Sequence, residues 1–287
     1  MKAAYDGDTK NVLNYIKNNG DINITGDMTI ESREDITTSQ NNLKLTQTNF
    51  FYHVTALMLA AYNGKTDVTK ILIDANANIS LKNSVGRTAL IIASEEGHTK
   101  IVKLLIDAKA DVNIKDDMNN TAILLASGKG HTDIVKLLID AKAEINTSNF
   151  INYTALTAAS DRGYTSIVRL LIDAKADANE VTKYNKFPYG NNYLSALMFA
   201  SKKGYTDIAK LLIDAKADVN TKDDMNKTAL SYAILGHHTN IVKILVDANA
   251  DINGQSGVIN ETYLELAQTL MYDDIVNILK TAGASEN

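Results

Sequence analysis

A pattern of apolar and polar positions recurs along the chain about every 33 residues. Its clearest copy, residues 97–113, reads Gly-His-Thr-Lys-Ile-Val-Lys-Leu-Leu-Ile-Asp-Ala-Lys-Ala-Asp-Val-Asn. A recurring period of this length is typical of stacked repeat proteins, so we interpret the rest of the chain as further copies of one repeat. Further copies, which with the first make eight units, begin at Gly7, Gly64, Gly130, Gly163, Gly204, His237 and Met271.

Each copy predicts a pair of helices. Thr88 is the predicted N-cap of a first helix, whose apolar positions recur at helical spacing. Gly97 should end that helix in a left-handed conformation. A second helix begins after Thr99, and its apolar set from Ile101 to Ile106 is wide enough to need cover on two sides. One such pair cannot bury its own apolar face, so the pairs are expected to stack.

These motifs resemble the ankyrin repeat family. They are Thr-x-Leu-x-x-Ala, Gly-His, Ile-Val-x-Leu-Leu and Ala-Asp-Val-Asn, and the resemblance covers nearly the whole chain. It implies an all-α fold, an ankyrin-repeat solenoid of about eight helix-turn-helix units joined by β-hairpin-like loops, forming a single domain over 1–287. The expected units are approximately 1–23, 55–87, 88–120, 121–153, 154–194, 195–227, 228–261 and 262–284, with insertions at 24–54 and 180–194.

The repeats depart from the family pattern at three positions. The family's Thr-Pro-Leu-His block lacks its proline here, which removes a preset φ angle at the first helical turn. The block also lacks its histidine, which removes a side-chain hydrogen-bonding group between repeats. The family's glycine before Ala-Asp-Val-Asn is also replaced. If that position is left-handed, the residues there are strained, and asparagine least so. The replacing residues are Lys109, Lys142, Lys175, Lys216 and Asn249.

Aromatic residues concentrate where the repeat pattern breaks, in the two insertions and in the short loop at 150–153. Two interpretations stay open: the rings pin long loops onto the neighbouring helices, or they are anchors for a partner, since aromatic residues dominate interface hot spots. The candidate residues are Phe50, Phe51, Tyr52, Phe150, Tyr153, Tyr184, Phe187, Tyr189 and Tyr193.

Charge changes along the predicted ends of the first helices. Glu95 makes the third repeat acidic there, whereas Arg162, Lys202 and Lys203 make the fifth and sixth repeats basic. This gradient is either a solvated, neutral surface or a groove that orients a charged partner. We expect the insertion at 180–194 to project over the three cations, so that the cations select an acidic partner.

Composition narrows the classes of function. The chain is 45% hydrophobic and 22% charged, as in folded proteins, and it holds no apolar run long enough to span a membrane. The net charge of −5 argues against a nucleic-acid partner. The absence of cysteine excludes disulfides and a cysteine nucleophile. No secretory signal is visible, and both a cytoplasmic and a secreted location stay open.

The motifs predict no catalytic site, metal site or cofactor. The segment 127–130 lacks the residues of a phosphate-binding loop, and the segments 116–119 and 223–226 lack the spacing of a calcium loop. His98, His131 and His237 are interpreted as repeat positions. His53 and His238 are interpreted as single histidines without supporting ligands.

These observations predict a non-catalytic protein-interaction module that binds another protein through its concave face and hairpin loops. The partner's identity is open, and the chain itself is expected to be a monomer that binds neither nucleic acid nor a membrane. Two alternatives remain: an inhibitor or immunity-type regulator of an enzyme, and a bacterial or viral effector that acts on host proteins.

Overall fold

The computed structural model describes residues 1–30, 49–182, 184–185, 191–256 and 261–285. Within these residues the chain forms sixteen helices and six short strands. They fall into two compact units, which are described separately below, Met1–Ala122 and Ile123–Asn287.

In the first unit, odd-numbered helices are the first helices of each repeat and even-numbered helices are the second. α3 packs against α1 and α5, and α4 packs against α2 and α6, so like helices stack in chain order. The elements are α1 (Lys2–Asp6), α2 (Thr9–Lys17), β1 (Gly26–Ile30), β2 (Asn49–Val54), α3 (Ala56–Tyr62), α4 (Thr66–Asp74), α5 (Ala89–Glu95) and α6 (Thr99–Asp107).

The second unit continues the same scheme. α11 packs against α9 and α13, and α12 packs against α10 and α14, which confirms the predicted stack of helix pairs. The elements are α7 (Ala122–Lys129), α8 (Thr132–Asp140), α9 (Ala155–Arg162), α10 (Thr165–Asp173), β3 (Tyr184–Asn185), β4 (Asn191–Asn192), α11 (Ala196–Lys203), α12 (Thr206–Asp214), α13 (Ala229–Leu235), α14 (Thr239–Asp247), β5 (Gln255–Ser256), β6 (Glu261–Thr262), α15 (Tyr263–Thr269) and α16 (Asp273–Thr281).

The helix ends follow the local rules that the sequence suggested. The Thr88 hydroxyl accepts a hydrogen bond from the backbone N–H of Ile91 at 3.4 Å, as an N-cap does. Thr262 and Glu265 form the reciprocal pair of a capping box. Gly97 has φ of 82°, the left-handed conformation in which a side chain is strained.

The core lies between successive helix pairs. In α10, Ile167, Val168 and Leu171 are each 0% exposed. α10 reaches this burial because it packs against α8, α9 and α12 together. The prediction that the second helix is covered on two sides is therefore confirmed.

A recurring asparagine ties several repeats to the next one within a unit. The side-chain oxygen of Asn146 accepts a hydrogen bond from the backbone N–H of Asp177 at 2.8 Å. Asn179 accepts one from the N–H of Asp218 at the same distance. These asparagines end the Ala-Asp-Val-Asn motif, so that motif carries an inter-repeat contact as well as a turn.

The strands belong to hairpins. In the insertion at 24–54, β1 pairs antiparallel with β2, with Gly26 opposite Val54. In the insertion at 180–194, β3 pairs antiparallel with β4. The Thr182 hydroxyl closes the base of this hairpin, because it donates to the Leu194 carbonyl at 3.1 Å and accepts from the Leu194 N–H at 3.2 Å.

The position where lysine replaces the family's glycine is left-handed. The φ angles of Lys109 and Lys142 are 66°, and those of Lys175 and Lys216 are 67°. For a residue with a Cβ atom, this conformation is less stable than the right-handed one by roughly 1–2 kcal/mol of free energy. The chain carries this strain at the end of several second helices.

Replacing Lys142 by glycine should therefore stabilise the protein. We expect a gain of about 0.5–1 kcal/mol in the free energy of unfolding, since relief of strain exceeds the extra chain entropy of glycine. Chemical denaturation measures this change. Lys136→Gly, in the exposed helical part of α8 six residues earlier, is the matched control and should destabilise by about 0.5–1 kcal/mol. Changes of the same sign at both sites would contradict the strain argument.

A polar contact joins the seventh repeat to the last. His237 Nε2 lies 3.1 Å from Asp274 Oδ1, and the Thr239 hydroxyl donates to the other oxygen of Asp274. The His237 ring also stacks on Tyr272, with ring centroids 3.8 Å apart. The hydrogen bonds from Thr239 and His237 hold the pKa of the Asp274 carboxyl below its usual value.

This lowered pKa predicts an acid-sensitive junction. A carboxyl whose pKa falls on folding contributes stability above its unfolded pKa of about 3.9 and loses it as the pH drops through the folded pKa. The difference in melting temperature between the wild type and Asp274→Asn should thus shrink from about pH 6 to about pH 3. Asp273→Asn is the control. A difference that stays constant with pH, or that Asp273→Asn reproduces, would show that the Asp274 charge does not stabilise the junction.

Candidate functional site

The repeat hairpins turn around a single side chain. Asp223 Oδ1 accepts hydrogen bonds at 2.8 Å from the backbone N–H groups of Met225 and Lys227. Asn149 makes the same pair of bonds, at 3.1 and 3.0 Å, to the N–H groups two and four residues later. Such side-chain bonds replace a backbone turn, and here the residues between the side-chain acceptor and the second donor form the hairpin tip.

Apolar side chains occupy these tips. In the second unit, Phe150 is 62% exposed and Met225 is 37% exposed. In the first unit, Met118 is 57% exposed at the tip that follows Asp116. Exposed apolar groups at recurring positions are suited to contact with another protein.

Asp223 also binds the ring of Tyr232 in the next helix, α13. The hydroxyl of Tyr232 donates to Asp223 Oδ2 at 2.6 Å, so both oxygens of this buried carboxylate have partners. Burial raises the pKa of the Tyr232 hydroxyl, and the hydrogen bond to Asp223 raises it further. The phenol therefore stays protonated, and its position is held by a bond between hairpin and helix.

Two lysines lie against Tyr232. The Nζ atom of Lys202 is 5.6 Å from the ring centroid, and that of Lys227 is 5.9 Å from it. Lys202 comes from α11 of the preceding repeat, whereas Lys227 comes from the hairpin before α13. Cations within about 6 Å of a ring face are attracted by its quadrupole.

A second cluster surrounds Asp161, near the end of α9. The Tyr153 hydroxyl donates to Asp161 Oδ2 at 2.9 Å. Lys203 Nζ lies 3.5 Å from Oδ1, and Arg162 Nε lies 3.8 Å from Oδ2. The side chains of Arg162 and Lys203 are 64% and 46% exposed, so both cations also face solvent.

The Phe199 ring joins the two clusters. It meets the ring of Tyr153 edge to face, with centroids 6.1 Å apart and an interplanar angle of 87°. In α11, Phe199 precedes Lys202 by three residues and Lys203 by four, which places all three on one side of the helix. We call the combined set the aromatic–cationic surface; it consists of Tyr153, Asp161, Arg162, Phe199, Lys202, Lys203, Lys227 and Tyr232.

The structure brings together four of the residues that the sequence singled out, namely Tyr153, Arg162, Lys202 and Lys203. Phe150 lies exposed at the hairpin tip before Tyr153. The other candidates are placed only in part. The backbones of Phe50, Phe51 and Tyr52 lie in β2, and that of Tyr184 lies in β3. Tyr193 is half-buried, whereas Phe187 and Tyr189 lie outside the described residues.

Sequence reasoning missed Asp223, Lys227, Phe199 and Tyr232. The sequence did hold a signal for the two rings. In the Thr-x-Leu-x-x-Ala block, Phe199 and Tyr232 stand directly before the final alanine, where the other repeats have an aliphatic residue or alanine. No comparable signal marked the hydrogen bond from Tyr232 to Asp223.

The interpretation of His238 as a single histidine was wrong. Its ring lies over Gly204, as the ring of His98 lies over Gly64; a Cβ atom on either glycine would come within 2.7 Å of the ring. Each Nε2 lies near a carbonyl of the preceding repeat, at 2.9 Å for His98 and 3.4 Å for His238. His237 instead occupies the glycine position, with φ of 53°.

The acidic third repeat is partly neutralised. Arg87 Nη1 lies 2.5 Å from Glu95 Oε2, and Arg87 Nε lies 3.2 Å from Asp116 Oδ2. Asp116 is only 5% exposed, so the arginine also partners a buried carboxylate. The Glu95 carboxylate thus has a cation of its own chain beside it.

Among the described side chains, no group of three His, Cys, Asp or Glu residues is arranged to hold a metal ion. No helix in the described part of the chain has the length and apolar character needed to cross a membrane.

Comparisons with known proteins agree with this architecture. A family profile described as ankyrin repeats (3 copies) matches residues 1–116, 110–182, 180–256 and 197–286. The crystal structure of the human ASB11 ankyrin repeat domain superposes with a TM-score of 0.66 at 19% sequence identity, covering 82% of this chain and 100% of that one. At this identity the likeness concerns the fold alone. No curated protein matches the chain. The profile matches span almost every residue, and the chain belongs to the ankyrin repeat family.

Proposed function

We propose that the chain is a non-catalytic module whose partner protein docks on the aromatic–cationic surface and on the hairpins beside it. Ankyrin repeats are in general protein–protein interaction modules. The observation that carries the proposal is the arrangement of rings and cations on three consecutive first helices, α9, α11 and α13, and on the hairpins before α9 and α13.

The composition of this surface suits a protein interface. Aromatic and arginine side chains supply most of the energy at interface centres, and apolar tips such as Phe150 and Met225 extend the contact area. Asp161 and Asp223 hold Tyr153 and Tyr232 by hydrogen bonds, so these rings lose little freedom when a partner binds.

The charge of the surface favours an acidic partner. Arg162, Lys202, Lys203 and Lys227 contribute four positive charges. The nearby carboxylates are Asp161 within the surface, and Asp223 and Asp224 beside Tyr232, so positive charge is in excess. Complementary charge raises the rate of encounter and disfavours basic competitors. We propose that a single chain binds such a partner as a monomer.

The insertion at 180–194 adds further anchors to the proposal. Its hairpin connects α10 with α11, the helix that carries Phe199, Lys202 and Lys203. Tyr184, Phe187, Tyr189 and Tyr193 are the candidate anchors there. In the first unit, the insertion at 24–54 with Phe50, Phe51 and Tyr52 is a second candidate region for partner contact.

Shortening the insertion tests the proposal. Deletion of residues 184–191 leaves three residues between Thr182 and Leu194, the same number as between Asn149 and Tyr153. Because the base of the hairpin is retained, the unfolding midpoint should change little. Affinity for the partner, captured from a lysate of the source cells and then purified, should fall about thirtyfold or more, as on loss of a hot-spot residue.

Two arginines of the fifth repeat provide a matched control for charge. Arg162→Glu, on the aromatic–cationic surface, should weaken binding and reduce its salt dependence. Arg169→Glu, on the exposed side of α10, should leave binding unchanged. If both the deletion and Arg162→Glu retain full affinity, the partner binds elsewhere and the proposal is wrong.

A further inference from the structure

We propose that Lys202 and Lys227 form a binding site for a carboxylate of the partner, beside the ring of Tyr232. The partner would present an acidic side chain with apolar side chains on either side of it in sequence. This inference rests on the proposed function, because it names the chemistry that one part of the aromatic–cationic surface recognises.

The two lysines lie against the same ring, that of Tyr232. Both Nζ atoms lie within 6 Å of its centroid. Among the described side chains, neither ammonium group lies within ion-pair distance of a carboxylate. A carboxylate bound beside the ring would gain a charge-assisted contact from each lysine.

The carboxylate beside this ring, that of Asp223, already has hydrogen-bond partners on both oxygens. Asp223 is 5% exposed, accepts two backbone N–H groups through one oxygen and accepts the Tyr232 hydroxyl through the other. Moving Asp223 toward the lysines would break the hairpin turn and leave a buried phenol without its partner, which costs free energy. Asp223 thus positions the ring and leaves the lysines open to an external anion.

In the neighbouring repeat, the positions of Lys202 and Lys227 are held by Asp161 of the same helix end and by Tyr153, whose hydroxyl donates to Asp161 at 2.9 Å. There, Arg162 and Lys203 lie on either side of Asp161, at 3.8 and 3.5 Å. One repeat later, the position of Asp161 is taken by Lys202. The sixth repeat thus has a cation where the fifth repeat has a carboxylate, and a carboxylate bound here would be one of the partner.

Apolar groups on both sides of the lysines favour a protein segment over nucleic acid. Phe199 is half-buried one helical turn before Lys202, and Met225 is exposed two residues before Lys227. A phosphate backbone would gain little from these apolar groups, and the net charge of −5 opposes it over the whole chain. An acidic residue between two apolar residues matches the order of groups on the surface.

The probe is the peptide Gly-Ser-Leu-Glu-Leu-Ser-Gly, added to the intact chain with ¹³C-labelled methionine methyl groups. The Met225 methyl should show a saturable shift. The Met118 methyl is the matched control, since Met118 occupies the same hairpin position in a repeat where Arg87 and Asp116 form an ion pair. A peptide with Gln in place of Glu should bind about tenfold more weakly.

Paired variants test the role of the lysines. Lys202→Gln combined with Lys227→Gln should weaken binding of the Glu peptide about tenfold, because both charge-assisted contacts are lost. Lys210→Gln combined with Lys243→Gln removes the same charge from exposed positions on second helices and should leave the dissociation constant unchanged.

The inference is wrong if the Glu and Gln peptides bind equally, or if the Lys202 and Lys227 variant binds like the wild type. An oligothymidylate that shifts the Met225 methyl at lower concentration than the peptide, with the same dependence on the lysines, would assign the site to phosphate instead. If the peptide fails while the deletion of residues 184–191 still abolishes partner binding, the proposed function stands and this inference alone falls. If both tests fail, both are wrong.

Discussion

The structure depends on apolar faces that a single helix pair cannot cover. In α10, Ile167, Val168 and Leu171 have no exposed surface only because α8 and α12 lie on either side of α9 and α10. Since burying such side chains contributes roughly 1.5–3 kcal/mol each, every interior pair needs a neighbour before and after it. The apolar residues of the second helices are therefore needed for stacking. Residue identity can vary at the hairpins and at the ends of the first helices.

Local rules explain why most of the fold could be predicted from the sequence. The caps at Thr88 and Gly97 follow from residues next to each other in the chain, and repetition of the pattern confirms each assignment independently. Strain at the lysines was expected only on the condition that the family's glycine position is left-handed, and that condition came from the resemblance to the family. The Tyr232–Asp223 bond was missed because it joins a hairpin to a helix, and no other repeat has tyrosine at the position of Tyr232. His238 was misread because the seventh repeat has histidine in place of the usual glycine, which made His237 look like the repeat position.

The aromatic–cationic surface illustrates how a repeat scaffold acquires a specific site. Two carboxylates with different surroundings perform different tasks there. Asp161 is partly exposed; it accepts a hydrogen bond from Tyr153 and forms ion pairs with Arg162 and Lys203. Asp223 is buried and holds a turn and a ring. The rings are thus positioned before any partner arrives, while the cations stay accessible, and this combination lowers the entropic cost of binding.

Amide hydrogen exchange of the chain, free and bound to its purified partner, tests most directly whether the first helices and hairpins form the binding face. The account predicts slower exchange in the complex for residues 149–162, 196–203 and 223–235. It predicts unchanged exchange for the second helices at 165–173, 206–214 and 239–247. Slower exchange confined to the second helices would contradict the account, since the partner would then cover the opposite side of each repeat.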